Sequence, residues 1–280
     1  MAEVFGVAAG VVGISAPALH WTRLLLVDLH NISDAPDVVK SLEGDFNLID
    51  RTLQSLEAIT QPQWEALGIS VVEQCKETTS ACTASCKKFR TDLQGWTRHS
   101  SGGKLSWQDR ANVGFFQQRR IKSMSDQLHH YQASLNLVIS TATFHSSIQH
   151  SHVTQEIKTA MSEKTTEISS SITTTNQQLA IVSGELGALD IGNNPSTVVG
   201  CTHDQGTDRG ALEERRVALQ LSLKLLEALK SKNEEEGERI NQKERNQPMT
   251  ATFGTNNHGF QTAFINGGNF SGMRFGGGGN

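Results

Sequence analysis

The interval between apolar residues is what most restricts the folds open to this chain. Leu42, Phe46, Ile49, Leu53, Leu56 and Ile59 recur at steps of three and four. A second stripe runs through Leu67, Val71, Cys75, Cys82, Cys86, Phe89, Leu93 and Trp96. A third passes through Phe115, Ile121, Leu128, Leu135 and Val138, and a fourth through Ile157, Met161, Ile168, Ile172, Leu179, Val182 and Leu186. A fifth fills 211–229 (ALEERRVALQLSLKLLEAL). Steps of three, four and seven keep side chains on one face of a helix. No stretch before position 247 alternates with the period of two that a half-buried strand requires. Helices with one apolar face each can hide those faces only against one another, so the expected fold class is all-α, a multi-helix bundle.

Punctuation residues set the expected boundaries. Positions 31–36 (NISDAP) read as a turn, and Pro62 opens the next helix, where its missing N–H costs nothing. Positions 98–104 form a loop. Ser106 with Asp109 three residues on reads as a cap for a helix from Trp107 to about Ile148. The fourth stripe lies on a Ser/Thr-rich background whose β-branched residues lower helix propensity. Positions 187–209 break the pattern with Gly, Asn, Pro and Asp and read as an irregular connection. The last helix is expected at about 210–245, its apolar part passing into the charged run 230–245. Hydrophobic residues are only 36% and charged residues 19%, which suits one helical domain over 1–245 with much polar surface. A net charge of −4 and a pI near 6.2 give no electrostatic footprint for nucleic acid, and none is expected as a partner.

Residues 4–19 (VFGVAAGVVGISAPAL) carry no charge, and only Glu3 stands where a secretory signal would place basic residues. The uncharged run reaches Thr22, about 29 Å as a helix against a hydrocarbon core of about 30 Å. Pro17, His20 and Trp21 favour a buried first helix over a spanning one in the resting protein, while Gly6, Gly10 and Gly13 allow close helix approach in either setting. Cys75, Cys82 and Cys86 fall at intervals of seven and four, on one helical face, and read as buried reduced thiols, with acylation or metal binding as the alternatives. That usage, with Cys201, fits the cytoplasm.

No GxSxG, P-loop, GxGxxG or HExxH occurs, so no enzymatic activity and no cofactor is expected. Cys201, His203 and Asp204 lie within four positions of the irregular connection, with no framework to orient a base on a nucleophile. His145, His150 and His152 sit in a polar Ser/Gln stretch and read as solvated, not as metal ligands.

From position 246 the composition changes. The tail 246–280 is glycine-rich, has no acidic side chain after Arg245, and keeps Arg274 as its one formal charge. Such a composition buries no core, so the tail is expected to be disordered in the soluble monomer. It is not a plain linker, because it carries Phe253, Phe260, Phe264, Ile265, Phe270, Met273 and Phe275. Within it, 260–265 (FQTAFI) is uncharged and proline-free, with Phe260 and Phe264 on one strand face. Those are the ingredients of a stacked cross-β segment.

The run 257–267 (NHGFQTAFING) resembles the pseudopalindromic N-x-G-x-Q-x-G-x-x-x-G motif of fungal signalling proteins, which itself resembles the animal RHIM amyloid motif. Asn257, Gly259, Gln261 and Gly267 match, Ala263 stands where glycine is expected, and Phe260, Phe264 and Ile265 fill the apolar places. Ala263 cannot use the φ > 0 conformations open to glycine. At the other end, MAEVFGVAAGVVG resembles the glycine-punctuated first helix of HeLo and HeLo-like domains and of the fungal N-terminal domain found on NLR-type (STAND) receptors. The helix LEERRVALQLSLKLLEAL is similar to one found late in many of those receptor-associated domains. Helical domain plus tail resembles the HELLP effectors.

The resemblance implies a fungal cell-death effector of the kind that acts in heterokaryon incompatibility. An NLR/STAND receptor with a matching N-terminal motif would template the tail into amyloid. Self-assembly would then gather the helical domains, and the first helix, about 4–30, would enter membrane lipid and form a pore. On that reading Val4, Phe5, Gly6, Gly10, Gly13, Ile14 and Leu19 belong to the membrane-active helix. The protein would be cytoplasmic at rest and at the plasma membrane once active. A non-toxic adaptor or a coiled-coil scaffold using the same tail for recruitment is the alternative; near-heptad spacing at 157–186 and 211–229 is the feature a scaffold would use.

Overall fold

A computed structural model describes residues 13, 15–32, 36–97, 117–148, 155–191 and 202–245. These residues form six α-helices and no strand: α1 (Ser15–His30), α2 (Asp37–Glu57), α3 (Gln61–Trp96), α4 (Gln118–Ile148), α5 (Gln155–Ile191) and α6 (Thr202–Arg245). The all-helical bundle is therefore the architecture of the described residues.

Each helix forms for a local reason and is held by its apolar face. Pro36 caps α2, its carbonyl accepting from the N–H groups of Val39 and Lys40 at 2.9 and 3.2 Å, and Asp37 puts negative charge in the first turn. The expected stripe of α2, from Leu42 to Leu56, is buried throughout. At the start of α3, the Thr60 N–H donates to Gln63 Oε1 at 2.8 Å and Pro62 occupies the first turn.

Helix α3 is not straight. Gly68 has φ +79° and ψ 165°, a break between the buried Leu67 and the buried Val71. A Cβ at Gly68 would meet nothing closer than Lys232 Cδ at 3.7 Å. The glycine is thus required by backbone conformation, not by space.

Beyond the break, α3 carries polar residues into the core at little cost. Thr79 Oγ1 donates to the Cys75 carbonyl at 2.9 Å and Thr83 Oγ1 to the Thr79 carbonyl at 2.9 Å, so these buried hydroxyls are satisfied within their own helix. The small side chains of this face let α1, α4 and α6 approach α3.

Helix α4 is central, packing on α2, α3 and α6, with Leu128, Tyr131 and Leu135 fully buried. Helix α1 packs on α2 and α3. Helix α5 differs: its main neighbour is α6, and it barely touches α4.

Two boundaries depart from the sequence reading. The connection read at 187–209 is shorter, because α5 continues through Gly187 to Ile191 and α6 begins at Thr202. Gly184 and Gly187 sit in helix with open space around them. The cap at Ser106 and the helix start at Trp107 lie outside the described residues.

Candidate functional site

The described part of the first helix is seated, not loose. Ala18, Leu19, Thr22, Leu25 and Leu29 are buried on one side of α1. Thr22 Oγ1 lies 3.9 Å from Cys86 Sγ on α3, both fully buried. Around the rim, Arg23 pairs with Asp50 at 2.9 Å and Arg90 with Asp28 at 2.6 Å. Trp21 is flanked by His20, edge-on at 5.7 Å, and by the ammonium of Lys87 5.1 Å from its ring centre. The outer side shows Val27 to solvent and borders a pocket of about 330 Å³ between Ala16, Leu24 and Glu57. Leu19 thus belongs to the core at rest, and Gly13 stands in a turn with open space around it. Val4, Phe5, Gly6, Gly10 and Ile14 lie outside the described residues. Among the described residues, no helix is long and apolar enough to cross a membrane.

The three thiols of α3 do share one buried face, and all three are free. Burial pushes the Cys75 thiol up to about 12, and the hydrogen bond to Cys86, reinforced by burial, raises Cys82 well above its usual value. Neither thiol is poised as a nucleophile. Among the described residues, no group of three or more His, Cys, Asp or Glu is gathered as metal ligands would be. Cys201, His150 and His152 lie outside them.

His145 corrects the reading of a solvated histidine. It is 1% exposed, and its Nε2 lies 2.9 Å from Asn233 Oδ1 on α6. Asn233 in turn donates through Nδ2 to Thr165 Oγ1 on α5 at 2.8 Å. Burial lowers the His145 pKa, only partly opposed by the Asn233 hydrogen bond. A neutral imidazole therefore ties α4, α6 and α5 together at one end of the bundle. The periodicity offered a signal for Asn233: it falls seven residues from Leu226 and seven from Ile240, both buried, inside a run otherwise dense in charge.

A cleft opens between α4 and α5, floored by α6. One compartment, of about 450 Å³, is lined by Arg119, Lys122, Asp126, Glu185, Leu189 and Arg215 among others. Arg215 pairs across it with Asp126 at 3.3 Å. The other compartment, of about 290 Å³, is lined by neutral groups: Ser134 and Leu137 of α4, Ser171, Thr174 and Gln178 of α5, and Ser222 of α6, with His129 and His130 at one side. Burial, with the nearby Arg215 guanidinium and a smaller effect of His129, lowers the His130 pKa to about 4, so its ring is neutral at pH 7. Its Nε2 is buried with no hydrogen-bond partner. Spacing of residues in sequence gives no sign of this cleft, because it arises from where α5 sits on α6.

The motif residues Asn257, Gly259, Phe260, Gln261, Ala263, Phe264, Ile265 and Gly267 all lie outside the described residues. Residues 2–193 match a family described as pigment biosynthesis cluster protein PigL N-terminal. The match ends just after α5 and leaves α6 and the tail beyond it. No curated protein and no solved structure matches the chain.

Proposed function

The chain belongs to the PigL N-terminal family, and from that premise we propose that it is a non-enzymatic cell-death effector switched on by amyloid assembly of its tail. The observation that carries this reading is the order of parts: an all-helical domain of this family, then a neutral, aromatic-bearing tail with the 257–267 motif. A receptor with a matching motif supplies the costly nucleus, after which each added tail gains a full ladder of backbone hydrogen bonds. Assembly concentrates the attached bundles on the fibril. The protein waits in the cytoplasm, and the first helix, about 4–30, then leaves the bundle for plasma-membrane lipid.

Energetics place a condition on that last step. Exposing Leu19, Leu25 and Leu29 costs about 1.5–3 kcal/mol each, and insertion must return at least that sum. The seating of α1 favours keeping a second reading, in which the bundle stays closed and serves as an adaptor or scaffold.

Dye release from vesicles, driven by fibrils of the full chain, separates the two. The pairing of Thr22 with Cys86 offers a lock: Thr22→Cys, with Cys82→Ala to remove a competing thiol, brings two sulfurs together across α1 and α3. The effector reading expects fibrils with leakage when the lock is reduced, and fibrils without leakage when it is oxidised. Leakage from the oxidised form, or from a chain lacking 1–22, would show that release of the first helix is not the membrane step. Fibrils that never cause leakage would select the adaptor.

A further inference from the structure

We propose that the cleft between α4 and α5 is a docking site for this chain's own tail, and that its neutral compartment seats the part of 257–267 around Gln261. Among the described residues α5 closes against α6 and leaves its α4 flank open, so a groove with hydrogen-bonding walls runs beside it. The walls of the neutral compartment are hydroxyls, the Gln178 amide and a neutral imidazole, over the apolar Leu137 and Leu226. His130 Nε2 there is buried and unpartnered, which is costly unless some group pairs with it.

The segments outside the described residues differ in how well they fit such a groove. Residues 1–12 are mostly apolar and bring no side-chain amide to the polar walls. Residues 98–116 carry Arg98, Lys104, Asp109 and Arg110, and 192–201 is tethered at both ends to α5 and α6. The tail alone is long and neutral, with amide side chains for the polar walls and phenylalanines for the floor.

Reach agrees with chemistry. The neutral compartment lies opposite Ser222 and Leu226, about 30 Å back along α6 from Arg245 at 1.5 Å per residue. The twelve residues 246–257 cover about 40 Å when extended, so the motif begins at the level of the groove. Because the tail is tethered, its effective concentration is on the order of millimolar, and a weak site is enough to hold it. For the effector reading, on which only this consequence rests, a docked motif is withheld from nucleation until a receptor fibril competes for it.

The test uses the soluble, monomeric full chain. Amide hydrogen exchange in 257–267 is compared with that of the same chain carrying Ser171→Arg and Thr174→Arg, half-buried and exposed positions where arginine suits a helix. Docking expects exchange about tenfold slower in the unaltered chain than in the variant, with unchanged helix content. Equal rates in the two would overturn it, whether both tails are fast or both are protected. Should the variant lose its fold, a photo-crosslinking residue at Thr174 decides: crosslinks to 246–280 of the same molecule support docking, and their absence overturns it. Fibril formation is scored separately. Slow exchange without fibrils, even when preformed tail fibrils are added as seeds, removes the amyloid reading and leaves docking standing, while seeded fibrils with fast exchange do the reverse.

Discussion

Helices α3 and α5 are nearly equal in length, 36 and 37 residues, and both are rich in Thr and Ser, yet they occupy opposite situations. Helix α3 buries twelve side chains; among its described residues α5 buries Met161, Ile168, Thr175 and Val182. The hydroxyls behave alike in both. Thr79 and Thr83 bond back to their own helix inside the core, and Thr166, Thr173 and Thr174 do so on the surface. Threonine content therefore does not decide burial here. The apolar interval does: steps of three and four wrap a broad face around α3, whereas the buried positions of α5 are seven apart, a single seam. On α6 a matching row, Leu219, Leu226, Asn233 and Ile240, is buried at the same interval. Contacts of Asn233 with Thr165 and of Gly237 with Met161 set the two helices antiparallel. This is coiled-coil-like packing grafted onto the side of a globular bundle.

Equal truncations in the two helices should therefore have unequal reach. Phe89→Ala on α3, which removes a ring in contact with Phe46 and Trp96, is expected to lower stability by about 3–5 kcal/mol in denaturant unfolding, with cooperativity kept. Ile168→Ala on α5 is expected to cost about 2–3 kcal/mol, since a helix held by one seam can settle into the gap. Hydrogen exchange should rise mainly in α5 for the second variant and everywhere for the first. A global response to Ile168→Ala would dissolve the distinction.

Asn233→Ala leaves the His145 Nε2 and Thr165 Oγ1 without their partner, at a cost on the order of 2 kcal/mol read from the unfolding midpoint. The smallest effect is a pH dependence. His130 and His145 both have pKa values below the ordinary 6.5, so the unfolded chain takes up protons first. Their contribution is complete above pH 6.5 and is lost as pH falls, toward about 4 for His130. Melting temperature should drop between pH 7 and 5, and His145→Gln should flatten part of that slope.

Much of the inner bundle was legible in sequence. The stripe of α2, the start of α3 at Pro62 and the shared face of the three cysteines all follow from local rules of spacing and capping. What was not legible depends on partners distant in the chain. The break at Gly68 has no mark in the apolar stripe, which runs through it from Leu67 to Val71 without a missed step. His145 looked solvated because its neighbours are polar, while its partner Asn233 is 88 residues away. The glycines near 187 suggested a loop, yet an exposed helix end accepts them at about 1 kcal/mol each. Of the site residues read from the motifs, Leu19 is placed in the core and Gly13 in a turn; the cleft beside α5 came from the structure alone.

The most direct measurement follows thioflavin-T fluorescence and vesicle dye release together on the full chain, seeded with preformed fibrils of its own tail, against a Gln261→Pro chain. The expected result is seeded fibril growth with accompanying leakage in the unaltered protein and neither signal in the variant. A full-length chain that stays soluble in the presence of seeds, with the vesicles intact, would contradict the account at its centre.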